Sequence, residues 1–396
     1  MSTSSISVQS KDDLIRGAAA AGAASREHAA WAEENRRLHD DVIGALADAG
    51  VFRLRTPARY GGYEADTATL IDVAAELARG DGAAAWTASV YWIPTWMAGL
   101  FPAEAQDEVF TSADSRICGT LSPGGTAVPT GGGVVVNGRW AFITGYWHAE
   151  WQEIIAVQVD PAGEAEPVPV MALVPTSQLQ VVDDWHTSGL RGTGSVSTVA
   201  QDLFVPAHRV VPLGAVLQGA DPSADAVPAM HRTPLLPVAS ASSVGTAVGL
   251  ARAALQTFLE RLPHRKITYT GYESQSQAPL THLQVAEATM KADEAEFHAY
   301  RLSSDVDSRA ISGTPWTVPE RIRARADMGA AVRLAKEAAD ILGSASGGSS
   351  IYQDAPIQRI TRDLNAISLH ALMHPDTNAE LHGRLLCGLE PDTLYV

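Results

Sequence analysis

Two changes of texture constrain the fold of this chain more than any single residue does. Across residues 11–50 apolar side chains recur at helical spacing, with Leu38, Val42, Ile43, Leu46 and Ala49 on one stripe and Gly50 as a stop. Residues 57–62 read as a loop. The helical pattern resumes over 70–78, behind Asp66 or Thr67 as N-cap. Residues 86–100 predict a long apolar helix interrupted at Pro94, and a further helix starts at Pro102. Near Arg116 the chain turns to Gly, Val, Thr and Trp. Short runs at 133–136, 140–143, 154–159, 170–174 and 196–204 predict strands. After a linker at 214–230, helical texture returns over 244–262, 280–303, 319–342 and 355–373, with a flexible Gly/Ser break at 343–350. Strands bracketed by helical blocks predict an α+β, mostly α chain in three parts, 1–115, 116–225 and 226–396. A length of 396 residues also exceeds what one core usually holds. The Ser-rich first ten residues read as frayed.

Composition removes several classes of partner. A formal net charge of −16 argues against DNA, RNA and anionic membrane surfaces, which all need clustered cations. The sequence offers no uninterrupted apolar run of bilayer length, and its start lacks a basic segment followed by an apolar one. No membrane partner and a cytoplasmic location are therefore expected. Cys118 and Cys387 form neither a CxxC pair nor a metal spacing and read as free thiols. His370 and His374 are spaced i, i+4 with His382 nearby. Pro375 ends that helix and no Glu stands between the histidines, so no metal is expected. No G-x-G-x-x-G follows a strand, so the chain lacks the fingerprint of a nicotinamide dinucleotide site.

Four motifs follow one another along the chain. They are Arg53-Leu-Arg-Thr-Pro-Ala-Arg-Tyr-Gly-Gly62, then Trp140-Ala-Phe-Ile-Thr144-Gly145. Next come Trp185 with Gly189-Leu-Arg-Gly-Thr-Gly194-Ser195 and Val205-Pro-Ala-His-Arg209, and finally Arg359-Ile-Thr-Arg-Asp363. In this order they resemble the acyl-CoA dehydrogenase superfamily. The resemblance implies an N-terminal helical domain, a middle β-barrel-like domain and a C-terminal four-helix bundle. Dehydrogenases of that superfamily often carry a Glu about two turns past the motif's Asp, where it removes the substrate α-proton. Here Ala371 stands at that position, beside His370. The strings around Trp140 and Gly189 are similar to those of the two-component, flavin-dependent monooxygenases built on the same fold.

That second resemblance implies the chemistry. It implies an oxygenase component that takes reduced FAD (FADH2) or reduced FMN (FMNH2) with O2 and works through a flavin C4a-hydroperoxide. It implies a small aromatic substrate to be hydroxylated, a separate NAD(P)H flavin reductase and a homotetramer. The alternative is an acyl-CoA or acyl-carrier-protein dehydrogenase holding FAD. In the monooxygenase reading the flavin does the difficult step, while the protein orients it and excludes water.

The same resemblance assigns residues. Thr144 falls close to flavin N5, with Phe142 and Gly145 on the same segment. The Thr120-Leu121-Ser122-Pro-Gly-Gly string reads either as a plain turn or as the loop along the flavin's pyrimidine side. His264 and Arg265 resemble a basic stretch that reaches the cofactor pyrophosphate, often across a subunit boundary. Arg359 reads as a phosphate contact or as one half of a structural ion pair. His370 is the expected acid–base group, since imidazole exchanges protons near neutral pH; the competing reading is a packed histidine. Tyr91, Trp92, Trp96 and Thr120 are expected to line the substrate pocket, and Trp86 and Trp151 to pack the core.

Overall fold

The computed structural model describes residues 10–160, 162–163, 165–220 and 227–396. The expected frayed start and the middle of the expected linker lie outside the described residues.

Five helices come first: α1 (Lys11–Asn35), α2 (Asp40–Asp48), α3 (Thr67–Ala78), α4 (Gly82–Ala98) and α5 (Ala103–Val109). The helical stretch expected over 11–50 is broken in two. Arg36 closes α1 in the left-handed region at φ 52°, and His39 caps α2 by accepting from the Asp41 N–H. The α3 helix starts where the sequence places its cap, with the Asp66 carboxylate accepting from the Thr69 N–H at 2.7 Å. The expected interruption at Pro94 does not occur. α4 is buried on most sides, and packing holds it helical through the proline. The cost is local: Pro94 has no N–H for the Val90 carbonyl.

The middle part is one mixed sheet of β1 (Ile117–Thr130), β2 (Gly133–Ile143), β3 (Trp151–Gln158), β4 (Val168–Pro175), β5 (Gln180–Val182), β6 (Val196–Pro206) and β7 (Val210–Pro212). The strand order is β5-β6-β2-β1-β3-β4-β7, with β1 and β3 parallel and the other pairs antiparallel. The expected runs at 133–136 and 140–143 merge into β2. The Ser122-Pro-Gly-Gly string is not a turn. It lies inside β1, where the register against β3 slips between Gly119 and Pro123 and again between Pro123 and Gly125. Pairing of β1 with β2 begins only at Gly125. Residues 120–122 therefore lie outside both ladders, a bulge in which the Leu121 carbonyl accepts from the Tyr395 hydroxyl and the Ser122 N–H donates to Thr120 Oγ1.

The C-terminal part holds α6 (Leu213–Gln218), α7 (Leu235–Arg261), α8 (Pro279–Ser312), α9 (Val318–Ala345), α10 (Pro356–Ser368) and α11 (Pro375–Leu386). α6 occupies part of the expected linker. α9 continues past Gly343 to Ala345, into the first part of the expected flexible break. α7 with the turn after it is long and apolar enough to cross a membrane, yet 89% of its most apolar window is buried inside the protein, as for a core helix. It packs closely on α3, because a Cβ at Gly249 would meet the Ala75 carbonyl oxygen at 2.3 Å. α10 ends at Ser368, so His370 lies in the turn beyond the helix and not on it.

Candidate active site

A cavity of about 610 Å³ opens between the sheet and the helices. One wall comes from the β1 bulge (Thr120, Leu121, Ser122), the end of β2 (Phe142, Thr144) and the 185–190 segment. The opposite wall comes from α4, α7 and the end of α10, with Arg325 of α9 and the C-terminal residues Thr393 and Tyr395 completing it.

The α4 wall follows the helical period. Trp86, Val90, Ile93, Pro94 and Met97 share one face and line the cavity. Tyr91, Trp92 and Trp96, expected in the pocket, lie on other faces and do not line it. Each is buried with its polar atom committed to backbone: Tyr91 donates to the Gly145 carbonyl, Trp92 Nε1 to Val51 at 2.8 Å and Trp96 Nε1 to Met230 at 2.6 Å. Trp86, expected in the core, is buried in it and also lines the cavity. Its ring meets His370 edge-on, with centroids 5.2 Å apart.

Thr144 reaches the cavity from a constrained corner. Phe142, before it, is a bulky residue at φ 63° and also lines the cavity. Such a conformation costs on the order of 1–3 kcal/mol, and strain of this kind collects at functional sites. The Thr144 hydroxyl lies 2.8 Å from that of Ser195, which lies 2.7 Å from that of Thr193. Thr193 in turn donates to the Leu190 carbonyl at 2.8 Å. Each hydroxyl has one proton, so making all three bonds fixes their direction. Ser195 donates to Thr193, and Thr144 donates to Ser195. Thr144 thus offers the cavity lone pairs and accepts from whatever binds there. Gly145 is not in the wall; at φ 74° it turns the chain, and its carbonyl anchors Tyr91.

His370 has the complementary character. Its Nδ1 accepts from the Leu372 N–H at 3.3 Å, which leaves the proton of the neutral ring on Nε2. Water reaches the ring through the cavity, but protein packs round it, and this burial lowers its titration from the usual histidine range to about 4. The ring is therefore neutral at pH 7, whereas an ordinary histidine keeps about a quarter of its charge there. No carboxylate lines the cavity among the described residues, and Ala371 sits in the wall where dehydrogenases often carry their base.

The remaining expected contacts lie elsewhere in this chain. Arg359 faces Asp81, with Nε 3.9 Å from Oδ2, across a second hollow of about 190 Å³. Arg362 ties α10 to Glu33 at 2.7 Å and donates to the Ser188 carbonyl. Asp363 accepts from the Leu190 N–H at 2.6 Å. A Cβ at Gly189 would lie 2.2 Å from the Arg362 carbonyl oxygen. The Arg-x-x-Arg-Asp and Gly-Leu-Arg-Gly motifs thus dock on each other and hold the 188–190 wall; the ion-pair reading is the one Arg359 fits. His264 and Arg265 follow the end of α7 in a short 3-10 turn and do not line the cavity. Several wall residues had no assignment from sequence, Ser195, Arg325 and Tyr395 among them. Ser195 was visible within its motif, whereas Arg325 and Tyr395 carried no local signal.

Comparison with known proteins now applies. Residues 12–111 match the model of the acyl-CoA dehydrogenase N-terminal domain, and 241–375 that of an acyl-CoA dehydrogenase C-terminal domain. The chain is 30% identical over 380 residues to the oxygenase component of the FADH2-dependent resorcinol hydroxylase of a Rhizobium species, covering 93% of each. It is also 30% identical to the flavin-dependent monooxygenase oxygenase subunit HsaA of Rhodococcus jostii, covering 90% of this chain and 94% of that one. The solved structure of XiaF from Streptomyces with FADH2 and glycerol superposes with a TM-score of 0.93 at 31% identity, over 98% of both chains. The chain belongs to the flavin-dependent monooxygenases of the acyl-CoA dehydrogenase fold. This monooxygenase is an oxidoreductase whose cofactor is reduced flavin and whose co-substrate is O2. Its cavity suits that cofactor. Phe142 and Trp185, edge to face with centroids 6.0 Å apart, offer aromatic surface, and the β1 bulge offers unladdered backbone groups to the polar rim of a flat ring. The Thr144 acceptor also matches the N–H that a flavin carries in its reduced form.

Proposed function

We propose that this protein is the oxygenase component of a two-component system that hydroxylates a small aromatic substrate. The observation that carries this reading is the pairing, across one cavity without a carboxylate, of an acceptor at Thr144 and a neutral N–H donor at His370. Bound reduced flavin would supply the activation of O2 and the oxygen atom transferred. The β1 bulge at Thr120–Ser122, with Phe142 and Thr144, would hold the cofactor. Thr144 would accept from its N–H edge, and His370 Nε2 would hold a proton toward the reacting oxygen. Trp86, Ile93 and Met97 would exclude water and shape the substrate side. A dehydrogenase function has no base at Ala371.

Several further assignments belong to this reading. A separate NAD(P)H flavin reductase supplies the cofactor, since the chain has no dinucleotide fingerprint. His264 and Arg265 serve the cofactor of a neighbouring subunit rather than their own. The chain divides at 1–115, 116–225 and 226–396, works in the cytoplasm and assembles as a homotetramer. One support for assembly is the exposed side of α8. Leu283, Met290, Phe297 and Ile311 stand on a seven-residue repeat and are each more than half exposed.

The deciding experiment is anaerobic titration of the purified protein with FADH2 and with FMNH2, followed by O2 and an aromatic acceptor. Tighter binding of reduced than oxidised flavin, with hydroxylated product formed, is the expected result. Purification with tight oxidised FAD that acyl thioesters reduce would overturn it.

A further inference from the structure

Among the described residues the cavity wall contains one fixed cation, and no carboxylate there pairs with it. Arg325 of α9 is only 7% exposed. Its Nε donates to Asn378 Oδ1 at 2.9 Å and its Nη1 to the Tyr395 carbonyl, both neutral acceptors. No bond to Nη2 is formed among the described residues, and no carboxylate lies within 4.0 Å of the guanidinium. Burial lowers its pKa, as expected for a cation with no anion beside it. The acceptors are themselves held: Asn378 is fully buried and donates to the Leu372 and His374 carbonyls, and the Tyr395 hydroxyl donates to Leu121 at 2.8 Å. The fork is thus locked in orientation between α11, the C-terminal segment and the β1 bulge. The cavity's other lining side chains are apolar, neutral hydroxyl or amide groups, and the neutral His370.

A desolvated guanidinium lacking a counter-ion is costly in the empty protein and becomes favourable when an anion arrives. We propose that Arg325 is a specificity-determining residue that recognises an anionic group on the substrate, so that the substrate class is an aromatic acid. This rests on the monooxygenase reading and narrows it. A planar carboxylate suits the free edge of a guanidinium better than any neutral group does. The same cation could meet a flavin phosphate, and the test separates the two.

Flavin-free protein is titrated calorimetrically with 4-hydroxyphenylacetate and with 4-hydroxyphenylacetamide, which has similar shape but no charge. Wild type is expected to bind the acid about tenfold or more tighter than the amide, the range of a charge-assisted hydrogen bond. Arg325→Gln should erase that preference while leaving FADH2 affinity unchanged, and Arg325→Lys should retain part of it. Equal affinity of acid and amide for wild type, or binding of neither, overturns the proposal whether or not Arg325→Gln folds. So does a variant that loses FADH2 affinity but keeps its preference for the acid, which would assign the cation to the flavin phosphate. Because these titrations use no flavin and no O2, their failure leaves FADH2-dependent hydroxylation standing, and the failure of that reaction leaves the acid preference measurable.

Discussion

At the residue scale, the site works by fixing where protons are. The Thr193–Ser195–Thr144 chain directs each hydroxyl proton along the chain toward the Leu190 carbonyl, and the Leu372 N–H leaves the His370 proton on Nε2. Ser195→Ala frees Thr144 to donate instead of accept, without touching any cavity contact that Thr144 itself makes. The expected outcome is reduced coupling, with more hydrogen peroxide and less product per FADH2 consumed; Thr144→Val should do the same more strongly. Oxygen-electrode and product assays measure this, and unchanged coupling in both variants would make the hydroxyl chain merely structural. His370→Ala should lower product formation by roughly 10²-fold, as loss of a positioned proton donor does. Because burial lowers the His370 titration to about 4, its removal should leave the pH profile between 6 and 8 unchanged in shape. A neutral-pH limb present in wild type and missing from the variant would contradict the neutral ring described here.

At the scale of elements, α10 locks the 188–190 wall through a buried carboxylate whose charge is unwelcome. Asp363 is surrounded by protein and close to Asp81, and these two effects, burial first, push its pKa up to about 7; the pKa of buried Asp81 is raised as well. A folded-state pKa above the unfolded value means the folded protein holds the proton more tightly. The stabilisation is therefore complete below about pH 4 and is lost as pH rises toward 7, with a slope of at most roughly 1.4 kcal/mol per pH unit. Asp363→Asn can still accept from the Leu190 N–H but cannot titrate, so its melting temperature should depend less on pH between 4 and 7 than that of wild type. Parallel curves would show that Asp363 is ionised throughout. The element scale also marks what the sequence made legible. Periodicity located the long helices and most strands, because each buries one face. It missed β1, because a strand bulged at Ser122-Pro-Gly-Gly carries turn residues for the sake of the cavity and not of a turn. It misassigned Tyr91, Trp92 and Trp96 and missed that core-packed Trp86 also meets the cavity, because α4 is buried on most sides and which aromatic face of it meets the cavity is a tertiary outcome. Motif resemblance located Thr144 and the segment around His370, whereas Arg325 reaches the site only through the packing of α9, which no local pattern announces.

At the scale of the molecule, the uncovered surface of α8 is the feature a lone chain explains least. Leu283, Met290 and Phe297 recur every seven residues, Ser304 takes the next such position and Ile311 the one after it, so the apolar groups follow one slowly drifting stripe along a 34-residue helix, on an exposed side of it. A heptad stripe of large apolar groups suits another helix better than it suits water. In a symmetric assembly each such residue is buried once per copy, so one substitution acts on every equivalent interface. Fully burying one such side chain contributes about 1.5–3 kcal/mol, and replacing it with a charge both removes that gain and adds a desolvation cost. If the proposed tetramer forms through this stripe, Phe297→Glu is expected to convert it to smaller species at micromolar concentration, with little change in the far-ultraviolet circular dichroism of the chain, because residue 297 is already exposed within the protomer. Light scattering coupled to size exclusion reads the mass directly. If His264 and Arg265 serve a neighbour's cofactor, the dissociated variant should also bind FADH2 more weakly. A variant that dissociates yet binds FADH2 as tightly as wild type would place the whole cofactor site within one chain. A variant whose mass is unchanged would remove the stripe from the assembly interface.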